Sequence, residues 1–267
     1  MRTLCLFILI VANLVTFTVR ANAAITNWED LGGGKARLLA VLNPESGQID
    51  AALEVVLDKG WTTYWRYPGS SGIPPIFDFS QSSGFEFKSI DYPAPKMMGN
   101  SELRYAGYKG NVVFPITGLS LPGERPEIAL SLIIGVCAEV CIPAKAEFKI
   151  AHSELLLSDA TAKQIISFSK LKIPQPRKAE EIVVTRRVDA NKTLFIEVKH
   201  PRSSKAFELF VEGPSNWYLE PAKLMNQTDQ TAEFSLDVSR APSGTDILGQ
   251  KLKYTLVNGS SGIEFAR

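Results

Sequence analysis

The sequence predicts an all-β fold of two immunoglobulin-like β-sandwich domains, with one short helix before the linker that joins them. Three observations carry this expectation. Many short segments alternate apolar with polar residues or are rich in β-branched and aromatic residues. Glycine and proline punctuate them at close intervals. One stretch alone, just before a proline-rich segment, has the composition of a helix.

Strands are expected first over residues 36–42, 48–57, 85–90, 112–117, 128–134 and 146–150. Turn signals separate them: Gly32-Gly33-Gly34, Pro68-Gly69, Gly72, Pro74-Pro75, Pro93, Pro95 and Pro122-Gly123. A helix is expected over 160–170, capped by Ser158 or Asp159, with Ile165, Ile166 and Phe168 as its apolar contacts. Pro174 and Pro176 stand among charged residues and make 173–179 a stiff linker. Strands resume over 181–188, 193–199, 207–212, 232–238 and 252–257. In 193–199, Leu194, Ile196 and Val198 share one face, and Phe195 is the odd apolar residue on the other. The expected domains are therefore 24–172 and 180–267.

The N-terminus reads as an export signal. Arg2 precedes an apolar run from Leu4 to Val19, and Ala21-Asn22-Ala23 is a small-x-small cleavage pattern. Cleavage is expected after Ala23, and no later segment is apolar enough to span a bilayer. The mature chain is thus expected to be soluble and outside the cytoplasm. Of 267 residues, 45% are hydrophobic and 21% charged, and the formal net charge is +1. Removal of 1–23 leaves 27 basic and 28 acidic residues. Such a balance gives no electrostatic basis for binding nucleic acid. Two histidines and no Gly-x-Ser-x-Gly pattern give no hydrolase constellation.

Loss of Cys5 with the signal leaves Cys137 and Cys141. In an oxidising compartment two cysteines suggest one disulfide. In one straight strand, positions four apart lie about 13 Å from each other, whereas a disulfide needs Cα atoms within about 7 Å. A three-residue hairpin loop meets that demand by placing its flanking residues opposite each other. A ring this small contributes only about 2 kcal/mol by chain entropy, which favours a redox role over a staple. Metal is a third reading. Cys137, Cys141 and His152 are too few for structural zinc, but cuprous ion accepts thiolates and thioethers, which Met97 and Met98 would supply if the fold brings them near. No cofactor is expected.

Several segments carry a family resemblance. They are residues 60–69 (Gly-Trp-Thr-Thr-Tyr-Trp-Arg-Tyr-Pro-Gly), Ser71-Gly72-Ile73-Pro74-Pro75, Tyr92-Pro93-Ala94-Pro95, residues 105–115 from Tyr105 to Pro115, and residues 136–144 around the two cysteines. Together they resemble the periplasmic N-terminal region of the DsbD/ScsB thiol:disulfide interchange family, in its ScsB-like branch. Softer likeness continues through Phe210-Val211-Glu212-Gly213-Pro214 and Leu256-Val257-Asn258-Gly259. The resemblance implies an immunoglobulin-like redox module in the periplasm that takes electrons from a thioredoxin-like domain and passes them on through mixed disulfides. Cys137 and Cys141 match the redox pair, and Cys141 matches the cysteine that forms the mixed disulfide. The family's covering loop corresponds to about Met97–Tyr105, so Met97, Met98 and Tyr105 are expected to line the site, with Tyr64. Core packing is the alternative for Tyr64, Trp61 and Trp65. Whole members of the family continue into a transmembrane conduit and a thioredoxin-like domain. This sequence reaches Arg267 with neither, so a thioredoxin-like periplasmic protein and a membrane electron-transfer protein are expected as partners in trans. A non-catalytic interaction module with a structural disulfide, or a copper-tolerance protein (a trait linked to ScsB-like systems), are the competing functions.

Overall fold

The computed structural model describes residues 24–267 apart from positions 71, 100–103, 158, 179, 181, 191, 201–202, 215–216 and 218. The expected signal segment and Ser158 therefore lie outside the described residues. Strands come first: β1 (Glu29–Asp30), β2 (Gly34–Leu42), β3 (Gln48–Leu57), β4 (Thr62–Tyr64), β5 (Ile76–Asp78), β6 (Phe85–Ile90), β7 (Lys96–Gly99), β8 (Arg104–Lys109), β9 (Asn111–Ser120), β10 (Ile128–Cys137) and β11 (Cys141–Ile150). Two helices follow, α1 (His152–Leu155) and α2 (Ala160–Lys170). Then come β12 (Gln175–Pro176), β13 (Val184–Val188), β14 (Thr193–Lys199), β15 (Phe207–Glu212), β16 (Lys223–Gln227), β17 (Thr231–Asp237), β18 (Lys253–Asn258) and β19 (Ser261–Ala266).

The strands form four sheets. A five-stranded sheet runs β1-β2-β3-β9-β6, and a six-stranded sheet runs β11-β10-β4-β8-β7 with β5 added to β10. Side chains from their facing surfaces make one core, with Leu38, Leu53, Phe114, Ile116, Leu132 and Ile134 fully buried. Two four-stranded sheets, β12-β19-β18-β15 and β13-β14-β17-β16, enclose a second core around Ile196, Phe234, Tyr254 and Trp217. All pairings are antiparallel except β12 with β19. Alternation along each strand sends every second side chain inward, so the all-β, immunoglobulin-like expectation holds.

Long, regularly patterned elements lie where expected. β3, β6, β14, β15 and α2 have the anticipated limits. Several features differ: short strands such as β4, β5, β16 and β19 arise where none was expected, and β12 pairs with β19 from inside the expected linker 173–179. Of residues 97–105, expected as a covering loop, 97–99 fall in β7 and 104–105 in β8, and 100–103 lie outside the described residues. Helix α1 is an additional single turn. Phe168 does not pack: it is 61% exposed, and the buried face of α2 is Ala162, Ile166 and Ser169. Spacings of four and three residues put those three on one stripe, and Phe168 falls off it at about 100° per residue. Asp159 caps the helix, accepting from the Ala162 N–H at 2.9 Å. The odd outward Phe195 has its own explanation, because the Arg187 guanidinium lies 3.6 Å over its ring.

Candidate functional site

The long hairpin β10–β11 ends at the two cysteines. Cys137 and Cys141 are directly opposite each other in register, joined by Ala138-Glu139-Val140, and they form a disulfide with Cα atoms 4.0 Å apart. The three-residue loop thus does what spacing alone predicts. Its two sulfurs are not equivalent. Cys137 is 3% exposed, on the interior strand β10 that β4 flanks, whereas Cys141 begins the edge strand β11 and is exposed.

Period-two alternation decides which residues surround them. Cys137 pairs with Thr62 across β10 and β4, Tyr64 pairs with Gly107 across β4 and β8, and Tyr105 pairs with Met98 across β8 and β7. Cross-strand partners and residues two apart share a face, so Cys137, Cys141, Thr62, Tyr64, Tyr105 and Met98 all stand on one face of the six-stranded sheet. It is the outer face, because the residues between them, such as Val136, Tyr108 and Ala106, belong to the core. Met97 also packs against that core. Its position is therefore a correction to the expected lining. Neighbouring residues of a strand point to opposite faces, so β7 brings Met98 to the cysteine face and turns Met97 away. The same rule leaves Met98 as the one of the two thioethers on the cysteine face.

A set of hydroxyls contacts the disulfide. Tyr64 OH lies 3.0 Å from Cys141 Sγ. A disulfide sulfur has no proton, so the phenol is the donor. Burial, and then the neighbouring Tyr105, push the Tyr64 phenol above its ordinary pKa, so it keeps its proton. Tyr105 meets the Tyr64 ring edge-on at 5.1 Å between centroids. Its hydroxyl is 2.8 Å from Thr62 Oγ1, which donates to the Cys137 carbonyl at 3.1 Å. Space for the Tyr64 ring comes from Gly135, where a Cβ would stand 2.9 Å from ring carbons. The loop after β4 folds over the other side of the ring: a Cβ on Gly72 would stand 2.8 Å from Tyr64 Cδ1. Val140, Ile142 and Ile73, 71%, 44% and 53% exposed, leave apolar surface beside the exposed sulfur.

Of the expected site residues, the structure gathers Cys137, Cys141, Tyr64, Tyr105 and Met98. Thr62 was not expected. Its signal was present in the alternation Thr62-Thr63-Tyr64, which puts it on the face of Tyr64. Arg66 was also missed. It donates to Glu212 of β15 through Nε at 3.0 Å and Nη2 at 2.6 Å, and it also pairs with Glu264 of β19. No group of three or more histidine, cysteine or acidic residues suited to a metal occurs among the described residues. Nor is any helix among them long and apolar enough to cross a membrane.

Comparison with known proteins agrees with this geometry. No curated protein sequence matches the chain. Among solved structures, it is similar to the N-terminal periplasmic domain of ScsB from Proteus mirabilis, with a TM-score of 0.76 and 21% identity. That likeness covers 92% of this chain and 98% of the other. Residues 35–153, which contain the cysteine hairpin and the strands around it, match the family model described as thiol:disulfide interchange protein DsbD, N-terminal. This stretch, less than half of the chain, is similar to the DsbD N-terminal domain of the thiol:disulfide interchange family.

Proposed function

We propose that the chain is a periplasmic thiol:disulfide interchange module in which Cys141 is the exchanging sulfur and Cys137 the resolving one. The observation that carries this reading is the asymmetry at the hairpin tip. Cys141 is exposed and receives the Tyr64 hydroxyl, while Cys137 is buried on β10, flanked in the sheet by β11 and β4.

In the reduced protein, the Cys141 thiolate attacks one sulfur of a partner's disulfide. The S–S bond breaks, the partner's other sulfur leaves as a thiolate, and a mixed disulfide forms. Cys137, deprotonated, then attacks Cys141 Sγ. The mixed disulfide breaks, the partner leaves with both its sulfurs reduced, and the Cys137–Cys141 bond is restored. Two electrons pass to the partner. Reduction of the module reverses these steps with an upstream dithiol as donor. Tyr64 favours Cys141 as the attacking and leaving sulfur because a phenol donating to a thiolate stabilises its charge. The exposed Val140 and Ile142 offer apolar contact to a partner beside the reacting sulfur. A thioredoxin-like periplasmic protein and a membrane electron-transfer protein, acting in trans, are the proposed partners. An export signal cleaved after Ala23 and a division into domains 24–172 and 180–267, joined by 173–179, complete the reading.

Trapping tests it. Cys137→Ala is expected to accumulate mixed disulfides through Cys141 in periplasmic extracts, and Cys141→Ala to accumulate far fewer. Equal trapping by the two variants, or none by either, would refute the assignment. A reduction potential between about −180 and −270 mV is expected, the range of exchange proteins. A value below about −300 mV would make the bond structural.

A further inference from the structure

β7 is the edge strand of the six-stranded sheet. Its Met97 N–H donates, at 2.9 Å, to the Glu208 carboxylate of β15, a strand of the second pair of sheets 111 residues away. On β8, Arg104 donates from Nη2 to the Ala222 carbonyl at 3.3 Å and lies in the field of Glu208 and Glu220. Both strands of the hairpin that carries Met98 and Tyr105 are therefore anchored outside their own sheet. β8 is laddered to β4, so β7, a four-residue edge strand with one strand neighbour, is the member that depends on outside restraint. A charged acceptor on its free edge is a strong restraint for one hydrogen bond. The loop leaving β4 is held the same way. Tyr67 OH accepts from Leu219 N–H at 3.3 Å, Ser70 pairs with Glu220, Arg66 is bound to Glu212 and Glu264, and Trp65 meets Phe210 edge-on at 5.6 Å.

We propose that Glu208, with Arg104, is a positioning residue for the cysteine pair: from the second pair of sheets it holds the β7–β8 hairpin so that Tyr105 stays against Tyr64 and Thr62, limiting the approach of thiols to the disulfide. This rests on the exchange function proposed above. It gives the second pair of sheets a task, since that half of the chain contains no cysteine. Once Glu208 is lost, the Met97 N–H turns to water, and β7 with the start of β8 that it pairs with frays from the site more often, while the rest of β8 keeps its ladder to β4. The sulfurs themselves are untouched.

The test is the rate at which dithiothreitol reduces the oxidised chain 24–267, read by alkylation of the freed thiols. Each turnover moves two electrons: dithiothreitol closes to its cyclic disulfide, and Cys137 and Cys141 become thiols. Glu208→Ala is expected to react about threefold faster or more, the scale of losing a partly exposed hydrogen bond to a charged group. Glu208→Gln keeps an acceptor for Met97 N–H and is expected to stay near the wild-type rate. Arg104→Ala is expected to fall between, and it decides the matter if Glu208→Ala does not fold. Rates unchanged in Glu208→Ala or Arg104→Ala, or Glu208→Gln as fast as Glu208→Ala, would overturn the proposal. Acceleration that merely follows the loss of melting temperature would assign Glu208 to stability alone and overturn it too. A readily reduced wild type with unaltered variants would sink the positioning role and leave the exchange function standing. A disulfide resistant in all of them would sink both.

Discussion

Replacing Tyr64 by phenylalanine removes one oxygen and leaves the ring against Gly135 and Tyr105. The effect on Cys141 can be worked from the geometry. The phenol lies 3.0 Å from Cys141 Sγ in the disulfide form, and the same placement in the reduced protein would have it donate to the thiolate. A hydrogen bond to a charged group contributes about 1.5–3 kcal/mol, and the exposure of Cys141 argues for the lower end. About 1.4 kcal/mol is a factor of ten, so the thiolate fraction at neutral pH falls about tenfold. Against this, a more basic thiolate is a better nucleophile. With a Brønsted coefficient of about 0.4–0.5, the gain is about threefold. The net expectation is alkylation of Cys141 that is about threefold to fourfold slower. The assay is iodoacetamide modification of Cys137→Ala protein, with and without Tyr64→Phe, followed from about pH 5 to about pH 9. The difference should shrink and then reverse toward the alkaline end, as the thiolate forms in both and the more basic one becomes the better nucleophile. Tyr105→Phe is the control, since its hydroxyl bonds Thr62 and not sulfur. A Tyr64→Phe rate equal to the parent at neutral pH, or an equal loss in Tyr105→Phe, would refute the assigned hydrogen bond.

Other consequences are equally specific. Gly135→Ala forces a methyl to 2.9 Å from the Tyr64 ring, and overpacking of this kind is expected to cost about 1–3 kcal/mol in urea unfolding and to slow exchange. Replacing both cysteines by serine is expected to cost about 2 kcal/mol at most, because the closed ring is so small. A loss above about 4 kcal/mol would mean that the disulfide is chiefly a staple. Arg66→Ala leaves Glu212 and Glu264 without their shared cation and is expected to cost about 2 kcal/mol near neutral pH, less than a fully buried pair. Burial pushes the Glu264 carboxyl up, but Lys253 and Arg66 outweigh it and hold it below its ordinary value of 4.5. Its contribution is therefore present above about pH 4.5 and is lost as pH falls through the lower, folded value. Arg66→Ala should flatten this acid dependence, measured as the change in urea midpoint between about pH 6 and about pH 3.5.

How much of this was legible in the sequence depends on how local its cause is. β3 and β14 show their alternation over seven or more residues, and α2 has a cap and a stripe. Their limits follow from nearest neighbours alone. β4, β5 and β7 have three or four residues each and exist because longer strands beside them offer hydrogen-bonding partners. Nothing inside Lys96-Met97-Met98-Gly99 separates it from a loop. The disulfide could be anticipated because its partners are only four residues apart. Glu208 and Met97 N–H are brought together by two packed sandwiches, and no periodicity of either segment refers to the other.

The placement of the site on the outer face follows from the same alternation that builds the core. A strand that buries Ile134 and Val136 inward must direct Gly135 and Cys137 outward. On most sheets that outer face would be wet and its cysteines open to any thiol. Here Tyr64, Tyr105 and Met98 stand on the same face from β4, β8 and β7, and Cys137 is buried, while Cys141 on the edge strand is exposed. One sulfur in reach and one protected is the condition for a mixed disulfide that resolves in a defined direction. That arrangement then has to be held, because short edge strands do not hold themselves, and the carboxylate that Glu208 places on the free edge of β7 supplies the restraint.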